Sequence, residues 1–167
     1  MKLRNFFATV AAAVMVVAGA TAQAQDTWSG ATVGTYFGGW TGSGSAGHQQ
    51  GLSFGYTHVL PGGVSSSIAP LVLGGQFVYG GYTEFGASYD HEYYLRGRAG
   101  LLVSPEQMIY GFAGYGLDAG EHAYQVGVGA ERMLFDGFSG FLEYAYGNYM
   151  AFSSPWTFWN LGFVKRF

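Results

Sequence analysis

The sequence predicts an all-β protein: an eight-stranded antiparallel up-and-down transmembrane β-barrel, preceded by a cleaved signal peptide. Three observations carry this. First, the segment Thr157 to Phe167 alternates: Trp159, Leu161, Phe163 and Phe167 share one parity, and Asn160, Gly162 and Arg166 share the other. A period of two places the first set on one face of a strand and the second on the opposite face. Second, the chain is 19% aromatic and only 10% charged. A soluble domain usually carries about 25% charged residues. Third, no long unbroken apolar run follows residue 24, so a helical span is excluded. Lipid offers the backbone no hydrogen-bond partner, so a sheet that crosses it must close on itself. It then turns apolar residues outward and polar ones inward.

Residues 1–24 have the layout of a secretory leader. Lys2 and Arg4 supply the positive start, Phe6 to Ala20 the apolar stretch, and Ala22-Gln23-Ala24 an A-x-A cleavage site. The barrel domain is then 25–167. Two of the seven basic residues lie in the leader, which leaves five against ten acidic residues. That balance argues against a nucleic-acid partner, which favours a basic surface. There is no cysteine, so the exported chain is held by a device other than disulfides. Closed strand pairing is one.

Eight strands of crossing length follow in order. Strand 1, near 28–40, has Ala31, Val33, Thr35 and Phe37 on one face and Thr32, Gly34 and Tyr36 on the other. Strand 2, near 49–59, turns Leu52, Phe54 and Tyr56 to lipid and Ser53, Gly55 and Thr57 to the lumen. Strand 3, near 67–80, is the least regular, because Leu71-Val72-Leu73 breaks the alternation. Strand 4, near 91–103, sets Leu95, Gly97, Ala99, Leu101 and Val103 outward and Tyr94, Arg96, Arg98 and Gly100 inward.

Strand 5, near 108–117, is read with Met108, Tyr110 and Phe112 outward. Strand 6, near 122–134, has Tyr124, Val126, Val128 and Ala130 outward, with Gln125, Gly127, Gly129 and Glu131 inward. Strand 7, near 138–148, has Leu142, Tyr144 and Tyr146 outward and Glu143 inward. Strand 8 is the alternating carboxy-terminal segment.

Turn chemistry marks Leu60-Pro61-Gly62-Gly63, Ser104-Pro105-Glu106-Gln107 and Asp136-Gly137 as short connections. The connections after strands 1, 3 and 7 read as longer loops, including Gly42 to Gln50 and Gly81 to Asp90. Short turns at one end and long loops at the other fit a barrel with both ends of the mature chain in the periplasm. Trp28, Trp40, Tyr56, Tyr93, Tyr149 and Trp156 fall at strand ends and are expected in the aromatic girdles.

An eight-stranded barrel is only wide enough for its own side chains, which argues against a wide pore. The lumen candidates are Tyr36, Arg96, Arg98, Gln125, Glu131 and Glu143. Arg96, Arg98, Glu131 and Glu143 are expected to neutralise one another, since charges away from water need partners. A proton or ion path through the lumen is the functional alternative.

Gly42 to Gly47 matches G-x-G-x-x-G, but no helix follows, so the match carries no dinucleotide site. Barrel lipid A deacylases use a His-x-Ser pair with a carboxylate. This chain has no His-x-Ser and no histidine after His122, so an enzyme is not expected. His48, His91 and His122 fall in or beside outer loops and are candidate haem axial ligands, while His58 lies at the opposite end. No compact metal motif is present, and no bound cofactor is required. Tyr79 to Tyr94 and Tyr146 to Trp159 are aromatic runs that suit either a contact surface or anchoring in lipopolysaccharide.

Trp28-Ser29-Gly30 leading to Val33-Gly34 resembles the opening of the small outer-membrane β-barrel surface proteins, the opacity-type group related to the OmpA-like transmembrane barrel. Arg96-Gly97-Arg98-Ala99-Gly100, Tyr110 to Gly116 and Leu142-Glu143-Tyr144-Ala145-Tyr146 fall in the same order. Ala31-Thr32 and Lys165 depart from the pattern, which carries aromatics there. The resemblance implies a bacterial outer-membrane location and lipopolysaccharide as a neighbour. It further implies that Trp159, Leu161, Phe163 and Phe167 form the signal read by the barrel assembly machinery. Envelope integrity, adhesion and, in some members, haemin binding are roles of that group. The reading is a monomeric barrel with a structural or surface-interaction role, and a haem receptor using loop histidines is the alternative.

Overall fold

The structure is a computed structural model that describes residues 27–42, 44–60, 70–84, 89–151 and 154–167. The leader lies outside these residues. Eight strands follow one another: β1 (Gly30–Gly42), β2 (Ser45–Leu60), β3 (Leu71–Glu84), β4 (Tyr89–Ser104), β5 (Gln107–Asp118), β6 (Glu121–Phe135), β7 (Phe138–Tyr149) and β8 (Trp156–Arg166). Each pairs antiparallel with its sequence neighbours, and β1 also pairs with β8, so the sheet is a closed barrel. In the closing seam Thr32 stands opposite Arg166 and Gly42 opposite Trp156. Closure leaves no sheet edge.

Alternation sorts the side chains. Outward, Leu95 is 70% exposed and Val128 62%, within an apolar wall that also carries Phe37, Phe163 and Leu142. Inward, Gln125, Asn160 and Glu131 are almost fully buried. This is the inverse of a soluble protein, because the solvent the wall meets is hydrocarbon.

The strands run from 11 to 16 residues, at or beyond the length needed to cross a bilayer. They absorb what the sequence presents as outer loops. Gly42 pairs with Ser45, so Ser45 to Gln50 belong to β2. Gly44 has φ +84° and lets the chain reverse there. Gly, Ser and Gln read as loop, yet Gly47, Gln49 and Gly51 face in while His48 and Gln50 continue the outward side. Gly81 to Glu84 and Tyr89 to Asp90 are likewise strand. Ala119-Gly120 joins β5 to β6 with both φ values positive.

Residues 61–70 separate β2 from β3. The Pro61-Gly62-Gly63 turn lies outside the described residues, and β3 begins at Leu71 rather than near 67. Pro105-Glu106 and Asp136-Gly137 are two-residue turns, each beside a register shift. The expected long loop after strand 1 is therefore not found, while the connections after β2, β3 and β7 include residues outside the described ones.

Strand 5 is the main correction of facing. Met108, Tyr110 and Phe112 point inward and are buried, while Ile109, Tyr115 and Leu117 face out. Both faces of β5 are apolar, so hydrophobicity does not distinguish them. Pairing does: Phe112 stands opposite Arg98 and inward Gly127. The irregularity in β3 has a similar cause. Val72 is an inward residue at 1% exposure, packed with Trp28 and Met108.

The aromatic girdle expectation also needs correcting. Tyr56 and Tyr93 do face out. Trp28 is 2% exposed inside the barrel, and Trp40, Tyr149 and Trp156 line its opposite mouth. Their parity is that of inward residues, and the lumen ends are wide enough to take rings.

Candidate functional site

Chemically active side chains lie in layers along the lumen. The terminal end, where Gly30 and Arg166 lie, holds one arginine cluster. Glu131 on β6 accepts from Arg98 of β4 at 3.2 Å and also from Arg166 of β8. Ser139 donates to Glu131 and accepts from Arg166 at 2.8 Å. The Arg166 guanidinium lies 4.6 Å from the centre of the Trp28 ring.

The middle layer is built on Arg96. It donates to Glu143 Oε2 at 3.1 Å and to Gln125 Oε1 at 2.8 Å. Its guanidinium rests 4.8 Å from the Phe112 ring centre. Tyr110 Oη donates to Glu143 Oε1 at 2.9 Å, and Arg98 lies 5.4 Å from the Tyr110 ring centre. Bare backbone makes room for these groups. A Cβ at Gly129 would fall 2.5 Å from the Tyr110 ring.

Toward the far end the charge changes sign. Tyr36 Oη donates to Glu92 Oε1 at 2.6 Å, and Tyr94 Oη to Asp118 Oδ2 at 3.3 Å. Gln49 Nε2 donates to Asn160 Oδ1 at 2.5 Å. Above Glu92 and Asp118 a cavity of about 230 Å³ opens between Trp40, Tyr82, Tyr149 and Trp156.

Tyr36, Arg96, Arg98, Gln125, Glu131 and Glu143 are all buried inside the barrel. The structure pairs Arg96 with Glu143 and Arg98 with Glu131. The lumen also holds Arg166, Glu92, Asp118, Tyr110 and Phe112, which the six candidates above omit. Arg166 shows its inward parity in the alternation of β8. Glu92 and Asp118 share the parities of inward Tyr94 and Gly114.

The three candidate histidines lie on strands, beside the hairpin connections. His48 is on β2, His91 on β4 and His122 on β6, all on the outward face and exposed. His91 stacks on Tyr79 with ring centres 5.9 Å apart, and its Nδ1 lies 3.3 Å from the tyrosine hydroxyl. His122 repeats the arrangement with Tyr115, at 5.7 Å and 2.7 Å. None of the three lines the far-mouth cavity. Trp159, Leu161 and Phe163 form an outward stripe on β8, and Phe167 hydrogen-bonds through its N–H to Ala31 O at 3.0 Å.

No family model matches the chain. No curated protein matches it either. Among solved structures it is similar to a transmembrane β-barrel from a de novo design study, at 16% identity over 81% of this chain and 95% of that one, with a TM-score of 0.51. It also aligns with Ail, the attachment invasion locus protein of Yersinia pestis, at 15% identity over 86% and 100% of the two chains, TM-score 0.34. The KdgM porin aligns at 10% identity over 80% and 99%, TM-score 0.27. The first of these alone supports an argument, and it concerns shape. Together with the closed strand order and the apolar wall, it establishes that this chain has the fold of a small eight-stranded transmembrane β-barrel.

Proposed function

We propose that the protein is a bacterial outer-membrane barrel with a sealed lumen and a structural or surface-interaction role at the envelope. The observation that carries the reading is the layered Arg96–Glu143 and Arg98–Glu131–Arg166 network inside a wall of exposed Leu, Val and Phe. A lumen crossed by buried ion pairs and ring-stacked guanidiniums is a plug rather than a path. The apolar wall suits lipid and the lipid moiety of lipopolysaccharide. The export leader and the outward stripe ending at Phe167 fit delivery by the barrel assembly machinery. The barrel works as a monomer in this reading, because its sheet is already closed on itself. Envelope integrity and adhesion are the roles it suits.

The test is planar-bilayer recording of the refolded chain, with cell fractionation alongside. The expected results are recovery in the outer-membrane fraction and no regular conductance steps. Reproducible large steps would overturn the sealed lumen, and recovery in a soluble fraction would overturn the location.

A further inference from the structure

The far mouth of the barrel differs from the rest of the lumen. Lower down, Arg96, Arg98 and Arg166 meet Glu131 and Glu143. At the mouth the charged side chains lining the cavity are Glu92 and Asp118, and no cationic side chain lines it among the described residues. Both are buried, at 7% and 4% exposure, and each accepts from a tyrosine hydroxyl. Above them stand two aromatic pairs from opposite sides of the closing seam. Trp40 meets Tyr82 edge-on with ring centres 5.5 Å apart, and Tyr149 meets Trp156 at 4.7 Å.

We propose that this cup binds a small organic ammonium ion. Two buried acids beside four aromatic side chains make a recess that favours a cation, since aromatic rings and carboxyl groups both attract one. The same walls disfavour a divalent metal, which demands many oxygen ligands. Among the described residues no three acidic or histidine side chains gather to supply them. Size agrees as well. The recess measures about 230 Å³, many times the room a single water needs. That leaves room for a trimethylammonium or a short amine.

A Cβ at Gly147 would fall 2.4 Å from the Trp156 indole, and one at Gly47 would fall 2.7 Å from Trp40 Nε1. Bare backbone on the neighbouring strands thus makes room for both indoles. The mouth at the terminal end offers the opposite chemistry, with Arg166 over Trp28. The preference for a cation therefore belongs to the far mouth alone.

The test is a tryptophan-fluorescence titration of the refolded full chain in a nonionic detergent. The probes are choline, its neutral carbon analogue 3,3-dimethylbutan-1-ol, and magnesium chloride. Choline is expected to give a saturable change that the neutral alcohol and magnesium do not. Glu92→Gln should weaken it by at least about tenfold, while Trp159→Phe on the outer wall should not alter it. Heat-modifiable gel mobility confirms folding, and Tyr82→Leu replaces Glu92→Gln if that variant does not fold. Equal binding of the alcohol would reduce the cup to an apolar hollow. Equal binding of magnesium would reduce it to a pair of acids. No saturable choline signal, or one indifferent to both variants, overturns the proposal outright.

Discussion

Arg96 and Glu143 sit on strands that never touch, β4 and β7, yet Nη1 of one lies 3.1 Å from Oε2 of the other across the lumen. Phe112 lies against the guanidinium from the strand next to Arg96. The contact ties two opposite walls together. Removing one partner strands the other charge in a dry interior. Glu143→Leu should therefore cost about 3–5 kcal/mol, read as a drop in the urea midpoint of the detergent-refolded barrel. Arg96→Met combined with Glu143→Leu should recover most of that loss. A double variant as unstable as the single one would mean the pair is not a unit.

Glu131 serves two guanidiniums, Arg98 and Arg166, plus the Ser139 hydroxyl. Glu143 serves one guanidinium and Tyr110. Glu131→Leu should accordingly destabilise more than Glu143→Leu in the same unfolding series, because it leaves two buried cations uncompensated. The reverse order would show that Arg166 finds water once Glu131 is gone.

Glycines on the two faces should respond in opposite senses. Gly97 faces out, with nothing within 4 Å of a Cβ placed there. Gly97→Val should be neutral or stabilise by up to about 1 kcal/mol, since glycine weakens a strand. Gly129→Ala instead drives a Cβ into the Tyr110 ring and should cost about 1–3 kcal/mol. In a cycle with Tyr110→Leu, the two changes should couple by at least about 0.5 kcal/mol. Simple additivity would mean the ring moves aside freely.

Haemin offers a sharp check on the histidines. Two of the three candidates, His91 and His122, are each engaged by a stacked tyrosine on separate hairpins. Titration of the refolded chain should give no bis-histidine absorption spectrum. A saturable spectrum that disappears with His91→Ala or His122→Ala would restore the haem reading.

Where the sequence was legible, one face of a strand was plainly greasier than the other. Strands β2, β4, β6 and β7 show their facing directly, as in Tyr94, Arg96 and Arg98 set against Leu95 and Leu101. The period fails where both faces are apolar. Met108, Tyr110 and Phe112 fill the lumen beside Ile109 and Leu117 on the wall, and only the pairing partners separate the two sets. Aromatics at strand ends mislead for a related reason, since Trp40 and Trp156 close a mouth as well as others anchor in a membrane. The far-end cup was invisible because its members, Trp40, Tyr82, Glu92, Asp118, Tyr149 and Trp156, come from six different strands and meet only on closure.

The direct pairing of Gly42 with Ser45 and the tight reversal at Ala119-Gly120 change what a partner meets at that end of the barrel. At those hairpins little chain extends past the last paired residues. A protease needs an unpaired stretch to draw into its cleft, and an antibody usually seizes a protruding loop. Here both would face the blunt rim of a hydrogen-bonded cylinder. Whatever meets the barrel at those positions must therefore read side chains set on paired strands, and drift there is limited by the pairing beneath them.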